Sequence, residues 1–168
     1  MIALLQKLPS VDDSFCLEAA SSIEHEYIDG QIYAKTGASD SHVTIVGNLI
    51  TLLRPHIRGT GNRRYMFDMK AWVESGNCVF YPDVMVTCDP RDQETSMFKR
   101  FPKLAVEVLS KSSEAYDRGD NFLAYQELES LQEYVVINTR YQRLRILRRD
   151  DSGRRIFSST QQKMRFLT

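Results

Sequence analysis

The chain has 168 residues and a mass of 19.4 kDa, which is enough for one domain with a single hydrophobic core, so we predict one domain over residues 1–168. Hydrophobic residues make up 42% and charged residues 26%, which excludes a disordered or fibrous chain. The 22 basic and 22 acidic residues cancel, which excludes a uniformly basic protein that coats nucleic acid. Short apolar runs and an N-terminus without the layout of a secretory signal predict a soluble, cytoplasmic protein with no membrane partner.

The N-terminal third of the chain predicts a helix, a hairpin and a second helix. Residues 11–22 are predicted to form a short helix, for which Ser10 is a possible N-cap. Asp29-Gly30 lies between two short strand-like segments and is a strong β-hairpin signal. Ser39 precedes apolar residues at three- and four-residue spacings, which is typical of a helix with one apolar stripe. Pro55 is expected to shorten or kink the end of that helix.

The rest of the chain is predicted to form mainly strands. Residues 64–73 alternate between apolar and polar and predict one half-buried strand, and residues 78–88 predict a second strand that Pro82 interrupts. Residues 104–109 are nearly all apolar, as in a central strand. The remaining predictions are a polar loop over 89–102, a helix over 114–130, a strand over 133–138 and a basic hairpin from 142–149 and 154–158. This order implies one mixed sheet with helices packed on it.

Charge is unevenly distributed along the chain despite the neutral total. Residues 140–168 contain nine Arg or Lys and two Asp, whereas residues 11–31 contain six acidic residues and no Arg or Lys. A local basic surface of this kind suits a phosphate backbone. Solvated strand and tail surfaces give the same pattern, so the charge alone leaves both interpretations open.

Two acidic residues stand out from their apolar surroundings. Glu107 is the one charge within the strand predicted at 104–109, and a buried carboxylate must be paired, protonated or bound to a metal. Asp83 follows Pro82 at the start of another apolar run. If the two acids lie on adjacent strands, they can hold a hard divalent cation, which polarises a phosphoryl oxygen and lowers the pKa of a bound water. The alternative is that Glu107 pairs with an arginine and Asp83 caps a turn.

Several ordered motifs resemble those of one protein family. The first are Tyr-Pro-Asp-Val at 81–84, Val-Glu-Val-Leu-Ser at 106–110, the segment 116–122 and Leu-Gln-Glu-Tyr-Val at 131–135; the segments 25–30, 37–42 and 67–70 match as well. Over residues 10–150 the chain resembles the Uma-type family of putative restriction endonucleases, within the PD-(D/E)XK nuclease superfamily. The resemblance implies a restriction-endonuclease-like fold of mixed α+β or α/β class: a central mixed sheet flanked by helices, an αβββαβ core, an N-terminal hairpin and a C-terminal basic hairpin.

The resemblance also implies roles for particular residues. Asp83 corresponds to the first metal-binding acid and Glu107 to the second, around Mg²⁺ or Mn²⁺, with DNA as the substrate. Glu26 resembles an extra acid that related nucleases contribute to the catalytic site. His42 and Asp68 match family positions without an assigned role, and for His42 at a helix start capping or packing is the favoured interpretation.

The lysine expected near the second acid is missing. Leu109 occupies the position two residues after Glu107, and Asn121 occupies the position on the following helix where the family tends to carry lysine. Asparagine can hold a water but brings no positive charge to a developing phosphorane. Lys111 and Arg118 are the nearby candidates that could substitute for the lysine.

Three functions therefore remain open. The leading prediction is a metal-dependent DNA endonuclease, weakened by Asn121. The alternative is a catalytically inactive nuclease-fold module that binds DNA or a protein partner. In the third, the acids form only structural ion pairs. Nucleases of this fold often work as dimers, so the resemblance also leaves a homodimer open.

Overall fold

The computed structural model describes residues 8–35, 37–109, 120–139 and 143–160. Within these ranges the helices are α1 (Val11–Ala20), α2 (Asp40–Ile57) and α3 (Asp120–Gln126). The strands are β1 (His25–Ile28), β2 (Gln31–Ala34), β3 (Arg63–Met66), β4 (Lys70–Val73), β5 (Cys78–Phe80), β6 (Val84–Thr87), β7 (Phe98–Lys99), β8 (Leu104–Leu109), β9 (Glu133–Asn138), β10 (Arg143–Arg149) and β11 (Arg155–Thr160). No helix within the described ranges is both long and apolar enough to cross a bilayer.

Local chemistry accounts for the start of the chain. The Ser10 side chain accepts the backbone N–H of Asp13, and the Asp13 carboxylate accepts the backbone N–H of Ser10 at 2.8 Å, which forms a capping box at the start of α1. Asp29 and Gly30 have φ values of 42° and 87°, as a two-residue type I′ turn requires, and Ile28 pairs with Gln31 across it. The predicted first helix and N-terminal hairpin are therefore confirmed.

Helix α2 begins after Ser39, whose hydroxyl accepts the backbone N–H of His42. The predicted shortening at Pro55 does not occur, because the proline falls in the last turn and the helix continues to Ile57. The backbone N–H of Arg58 then donates to the carbonyl of Arg54 at 3.1 Å and closes the helix. Pro55 has no N–H, so the hydrogen bond from position 55 to the carbonyl of Thr51 is missing, while the Arg58 N–H still bonds the next turn.

The strands form two sheets rather than the single sheet expected from the sequence. One has the order β2-β1-β5-β4-β7, and the other has the order β11-β10-β9-β8-β6-β3. The predicted strand over 64–73 is wrong as a single element: Phe67 has a φ of 55° and breaks it into β3, in the larger sheet, and β4, in the smaller one. The chain also changes sheet at Pro82-Asp83, between β5 and β6. Because the Phe67 N–H donates to the Asp83 carbonyl at 3.3 Å, the two crossings lie side by side.

Helices cover both faces of the six-stranded sheet. Ala105 and Leu109 of β8 pack in a core cluster with Tyr125 of α3. Val106 and Val108 of the same strand pack in a second cluster that contains Ile45 and Val46 of α2. Side chains alternate along a strand, so Glu107 belongs to the face covered by α3.

Candidate active site

Asp83 and Glu107 come from neighbouring strands. Strands β6 and β8 are antiparallel with Val84 opposite Val106, so Asp83 directly precedes one member of this pair and Glu107 directly follows the other. Each of the two residues is only 8% exposed. Two acids that are 24 positions apart in the sequence thus lie next to the same paired position of the sheet.

The carboxylate of Asp83 is held by two donors. Its Oδ2 accepts the backbone N–H of Val108 at 2.7 Å, so it binds to the backbone of β8 beyond the last paired residues. Its Oδ1 lies 2.8 Å from Nε2 of His42 in α2. When Asp83 is ionised, its carboxylate can only accept, and Nε2 of His42 is then the donor. The backbone of His42 joins the helix cap, as expected, while its ring binds Asp83 and its buried Nδ1 has no hydrogen-bond partner.

The carboxylate of Glu107 contacts helix α3. The hydroxyl of Tyr125 donates to Oε1 of Glu107 at 3.2 Å. Burial raises the pKa of Tyr125 well above its ordinary value, and the charge of Glu107 raises this pKa further. Tyr125 therefore stays protonated and remains a donor to the acid. Tyr125 was not predicted as a site residue.

Asn121 lies one helical turn before Tyr125 and on the same side of α3. It is only 1% exposed, and its side-chain oxygen Oδ1 has no hydrogen-bond partner. Leaving a buried acceptor unsatisfied costs about 1–3 kcal/mol. A donor or a cation at this oxygen would remove that cost.

Glu26 of β1 approaches the same region from the smaller sheet. Its Oε1 accepts the backbone N–H of Tyr81 at 3.4 Å, and the residue is half-buried. The charge of Glu26 also contributes to the raised pKa of Tyr125, after burial and after the charge of Glu107. Glu26 is thus electrostatically coupled to the residues around Glu107.

Tyr81, two residues before Asp83, is anchored by a set of contacts that was not predicted. Its hydroxyl donates to Oε2 of Glu18 in α1, and Oε1 of Glu18 also lies 2.8 Å from Nδ1 of His25. The ammonium of Lys35 donates to the Tyr81 carbonyl at 3.3 Å and lies 4.8 Å from the ring centroid. Burial and the hydrogen bond to Glu18 raise the pKa of Tyr81. These contacts fix the backbone from which Asp83 projects.

Asp68 is placed differently from the other predicted residues. It is exposed between β3 and β4, and its carboxylate interacts electrostatically with that of Glu24. The pKa of Glu24 is raised mainly by burial and further by Asp68, against the lowering effect of Lys35. Lys111 and Arg118, the two suggested substitutes for the lysine, lie outside the described residues.

The donor chemistry of the site can be compared with the needs of a cation. In the part of the chain that the structure describes, no group of three or more His, Cys, Asp or Glu residues is arranged to hold a metal ion. The buried acids Asp83 and Glu107 and the amide oxygen of Asn121 offer hard oxygen donors, the ligand type that Mg²⁺ and Mn²⁺ prefer.

Comparison with known proteins identifies the family. Residues 11–166 match the family model Uma2, which is described as a putative restriction endonuclease. The chain belongs to the Uma2 family. It is 40% identical over 130 residues to an uncharacterized protein of Synechocystis sp., covering 77% of this chain and 68% of that protein. It is also 33% identical over 143 residues to a second uncharacterized Synechocystis protein, covering 82% of this chain and 79% of that one.

A solved structure shows the same fold. The chain resembles the crystal structure of a putative nuclease belonging to DUF820 from Anabaena variabilis with a TM-score of 0.64 and 18% sequence identity. The match covers 84% of this chain and 79% of that one. The predicted restriction-endonuclease-like fold of a Uma2 protein is therefore confirmed.

Proposed function

We propose that this Uma2 protein is a divalent-metal-dependent endonuclease that hydrolyses phosphodiester bonds in DNA. The observation that carries the proposal is the pair Asp83 and Glu107, two buried acids next to the paired residues Val84 and Val106 of adjacent strands. Membership in a family described as putative restriction endonucleases supports a nuclease in general. The metal dependence, the DNA substrate and the residue roles are the proposed part.

Each residue of the site has a defined task in this proposal. Asp83 and Glu107 hold the cation, and Oδ1 of Asn121 adds a neutral oxygen. When bound, Mg²⁺ or Mn²⁺ polarises a phosphoryl oxygen and lowers the pKa of a water. His42 orients Asp83 through the 2.8 Å contact, and Tyr125 orients Glu107 through the 3.2 Å hydrogen bond.

Substitution of the two acids tests the proposal. Asp83→Asn and Glu107→Gln keep the side-chain shapes but remove the negative charges, and each is expected to abolish Mg²⁺- or Mn²⁺-dependent nicking of a supercoiled plasmid. Asp89→Asn, which removes a carboxylate paired with Arg91 on the surface, is the matched control and should nick like the wild type. Cleavage that persists unchanged in both site variants would overturn the proposal.

A second measurement is independent of cleavage. A specific site with Mn²⁺ in 10- to 100-fold excess over its dissociation constant should raise the free energy of unfolding by about 1–3 kcal/mol. This increase should be lost in Asp83→Asn and Glu107→Gln and kept in Asp89→Asn. An equal increase in all four proteins would place the bound metal elsewhere.

Asn121 favours a second candidate function, a catalytically inactive nuclease-fold module that binds DNA or a protein partner. The residue is buried and neutral at the position where the family tends to carry lysine. The reciprocal variant Asn121→Lys distinguishes the two candidates, with Leu123→Lys as a control that adds the same charge at a 62% exposed position of α3. Cleavage gained only in Asn121→Lys, from an inactive wild type, supports the inactive module, whereas an active wild type excludes it.

A further inference from the structure

Two half-buried arginines lie directly opposite each other in the hairpin formed by β10 and β11, here called the basic hairpin. Arg149 pairs with Arg155 in the antiparallel register, at the end of the ladder next to the connecting turn. Residues directly opposite in such a ladder have Cβ atoms about 4.5–5.5 Å apart, and like charges in this position destabilise the pair. The arrangement is therefore unfavourable unless something neutralises it.

Contacts with helix α3 keep Arg155 in this position. Its terminal nitrogen Nη2 donates to the carbonyl of Gln126 and, at 3.2 Å, to the carbonyl of Leu128. These oxygens lie at the C-terminal end of α3, where a cation is favoured by the helix dipole. Arg155 is thus fixed beside Arg149, and swinging it into solvent would break both hydrogen bonds.

Both guanidinium groups retain donors without acceptors. Nε of Arg149 and Nη1 of Arg155 are buried and have no hydrogen-bond partner. The nearest acid in the sequence, Asp150, uses its carboxylate for Ser152 and Arg154. Burial lowers the pKa of Arg155, the charge of Arg149 lowers this pKa further, and the exposed Glu127 opposes the effect. Within the described residues, neither arginine forms an ion pair with a carboxylate.

We propose that Arg149 and Arg155 together bind one phosphate-type oxyanion. Two guanidinium groups offer planar sets of donors, and a tetrahedral phosphate has enough oxygens to accept from both of them. The negative charge of the phosphate offsets the repulsion between the two arginines. The phosphate oxygens accept hydrogen bonds from the donors that lack acceptors. The site is formed by α3 and the basic hairpin, and none of the proposed catalytic acids belongs to it.

The register of the sheet separates this anion site from the proposed catalytic site. Glu107 is opposite Val136, and Val136 is opposite Arg145, which is four residues before Arg149 in β10. Two strand spacings across the sheet and four residues along a strand correspond to about 17 Å. The phosphate can therefore come from a nucleic-acid backbone, several nucleotides away from a scissile bond, or be free in solution.

Thermal unfolding without divalent ions tests for the site. Sodium phosphate should raise the Tm of the wild type by about 3–8 °C above sodium chloride of equal ionic strength. Arg149→Gln should lose this phosphate-specific shift. Arg148→Gln is the control. The Arg148 side chain lies on the opposite face of β10, where its Nε donates to Glu133 at 2.6 Å, so this variant should retain the shift. Equal Tm values of the wild type in the two salts would overturn the proposal, even if Arg149→Gln failed to fold.

Binding of a labelled DNA duplex, again without divalent ions, identifies the source of the phosphate. If the source is nucleic acid, Arg149→Gln binds the duplex about three- to tenfold more weakly than Arg148→Gln, and inorganic phosphate competes with the duplex. If the phosphate-specific Tm shift is present but both variants bind the duplex equally, the site is supported and takes free phosphate. Neither assay involves cleavage or a metal. The anion site is therefore tested independently of the nuclease proposal.

Discussion

At the level of single residues, the two acids of the candidate active site depend on donors from opposite sides of the sheet. His42 in α2 contacts Asp83, and Tyr125 in α3 contacts Glu107. A carboxylate buried to this degree is expensive unless hydrogen bonds replace its lost water. Each donor also fixes the direction of the carboxylate, so we expect substitution of either donor to affect both stability and function.

Removal of the His42 ring should weaken metal binding. Loss of an outer hydrogen-bond partner of a metal ligand typically costs 10- to 100-fold in affinity, and we expect His42→Ala to weaken Mn²⁺ binding by about this factor. The Mn²⁺ dependence of the Tm provides the measurement. His42→Asn should restore part of the affinity, and His56→Ala, at an exposed position of the same helix, should leave it unchanged. Wild-type affinity in His42→Ala would show that the 2.8 Å contact does not support a metal ligand.

Removal of the Tyr125 hydroxyl should change stability in a pH-dependent way. The pKa of Tyr125 is raised in the folded state above its ordinary value of 10.0 because of burial and the charge of Glu107. The stability that this shift provides is fully present below pH 10 and is lost as the pH rises above that value, where only the unfolded chain ionises readily. Tyr125→Phe should therefore lose less stability than the wild type above pH 10.

Urea unfolding at a series of pH values measures this difference. At neutral pH, Tyr125→Phe should be about 1 kcal/mol less stable than the wild type, because Glu107 loses a donor. Tyr33→Phe is the control, since the hydroxyl of Tyr33 donates to its neighbour Gln31 at an exposed position of β2 and its loss should cost little stability at neutral pH. The pKa of Tyr81 is also raised, so part of the alkaline loss should remain in both variants. Identical alkaline profiles for Tyr125→Phe and the wild type would contradict the prediction.

The acids themselves could be recognised from the sequence, whereas the donors could not. Glu107 is conspicuous because a charge interrupts an apolar run, and Asp83 because it follows a proline at the start of another run. A tyrosine at an apolar helical position and a glutamate on a short helix are ordinary patterns. Tyr125 contacts a residue 18 positions away, and Glu18 contacts Tyr81 across 63 positions, so their roles arise only from tertiary contacts.

At the level of secondary-structure elements, the loop over residues 89–102 is more ordered than its polar sequence indicates. It contains a 3₁₀ turn at Pro90–Gln93 and the short strand β7. Asp92 is 3% exposed, and its carboxylate accepts the hydroxyl of Thr87 at 2.5 Å and the backbone N–H of Arg100 at 2.7 Å. Lys99, also 3% exposed, donates to the carbonyl of Asp92 at 2.6 Å. The buried acid and the buried lysine together fix the loop.

Removal of the Asp92 carboxylate should therefore be costly. Asp92→Ala leaves the backbone N–H groups of Arg100 and Phe101 without their acceptor, and we expect it to lower the free energy of unfolding by about 3 kcal/mol. Asp89→Asn is the matched control: it removes the charge paired with the exposed Arg91 but keeps a side-chain oxygen for the Arg91 N–H, and it should cost at most about 1 kcal/mol. Denaturant unfolding of the two variants distinguishes them. Similar small losses in both would mean that solvent replaces the buried contacts.

Strand predictions succeeded where the local pattern has one interpretation. Strands β8 and β9 have the predicted bounds, because each is a short run of mainly apolar residues. The prediction for residues 64–73 failed because the alternation of apolar and polar residues continues through Phe67. A φ of 55° is uncommon for a bulky residue, and here the Phe67 N–H bonds the Asp83 carbonyl of a distant segment. No sequence pattern within residues 64–73 indicates that contact.

At the level of the whole molecule, the neutral total charge conceals basic side chains on the same face of the sheet as the candidate active site. Glu107, Val136 and Arg145 are successive cross-strand neighbours in β8, β9 and β10. Directly opposite residues share a face of a sheet, so Arg145 lies on the side of Glu107, about 10 Å across two strand spacings. A phosphate backbone that passes over Glu107 would come within reach of Arg145.

This arrangement predicts a salt-dependent contribution of Arg145 to DNA binding. Binding of a DNA duplex, measured without divalent ions, should weaken steeply as the salt concentration rises, because each phosphate contact releases counterions. Arg145→Gln should weaken binding at all sequences and reduce the slope of log K against log salt by about 1. Arg91→Gln removes the same charge from a loop arginine already paired with Asp89 and should leave the slope unchanged. An equal slope for Arg145→Gln and the wild type would mean that Arg145 binds no DNA phosphate, and would contradict the prediction.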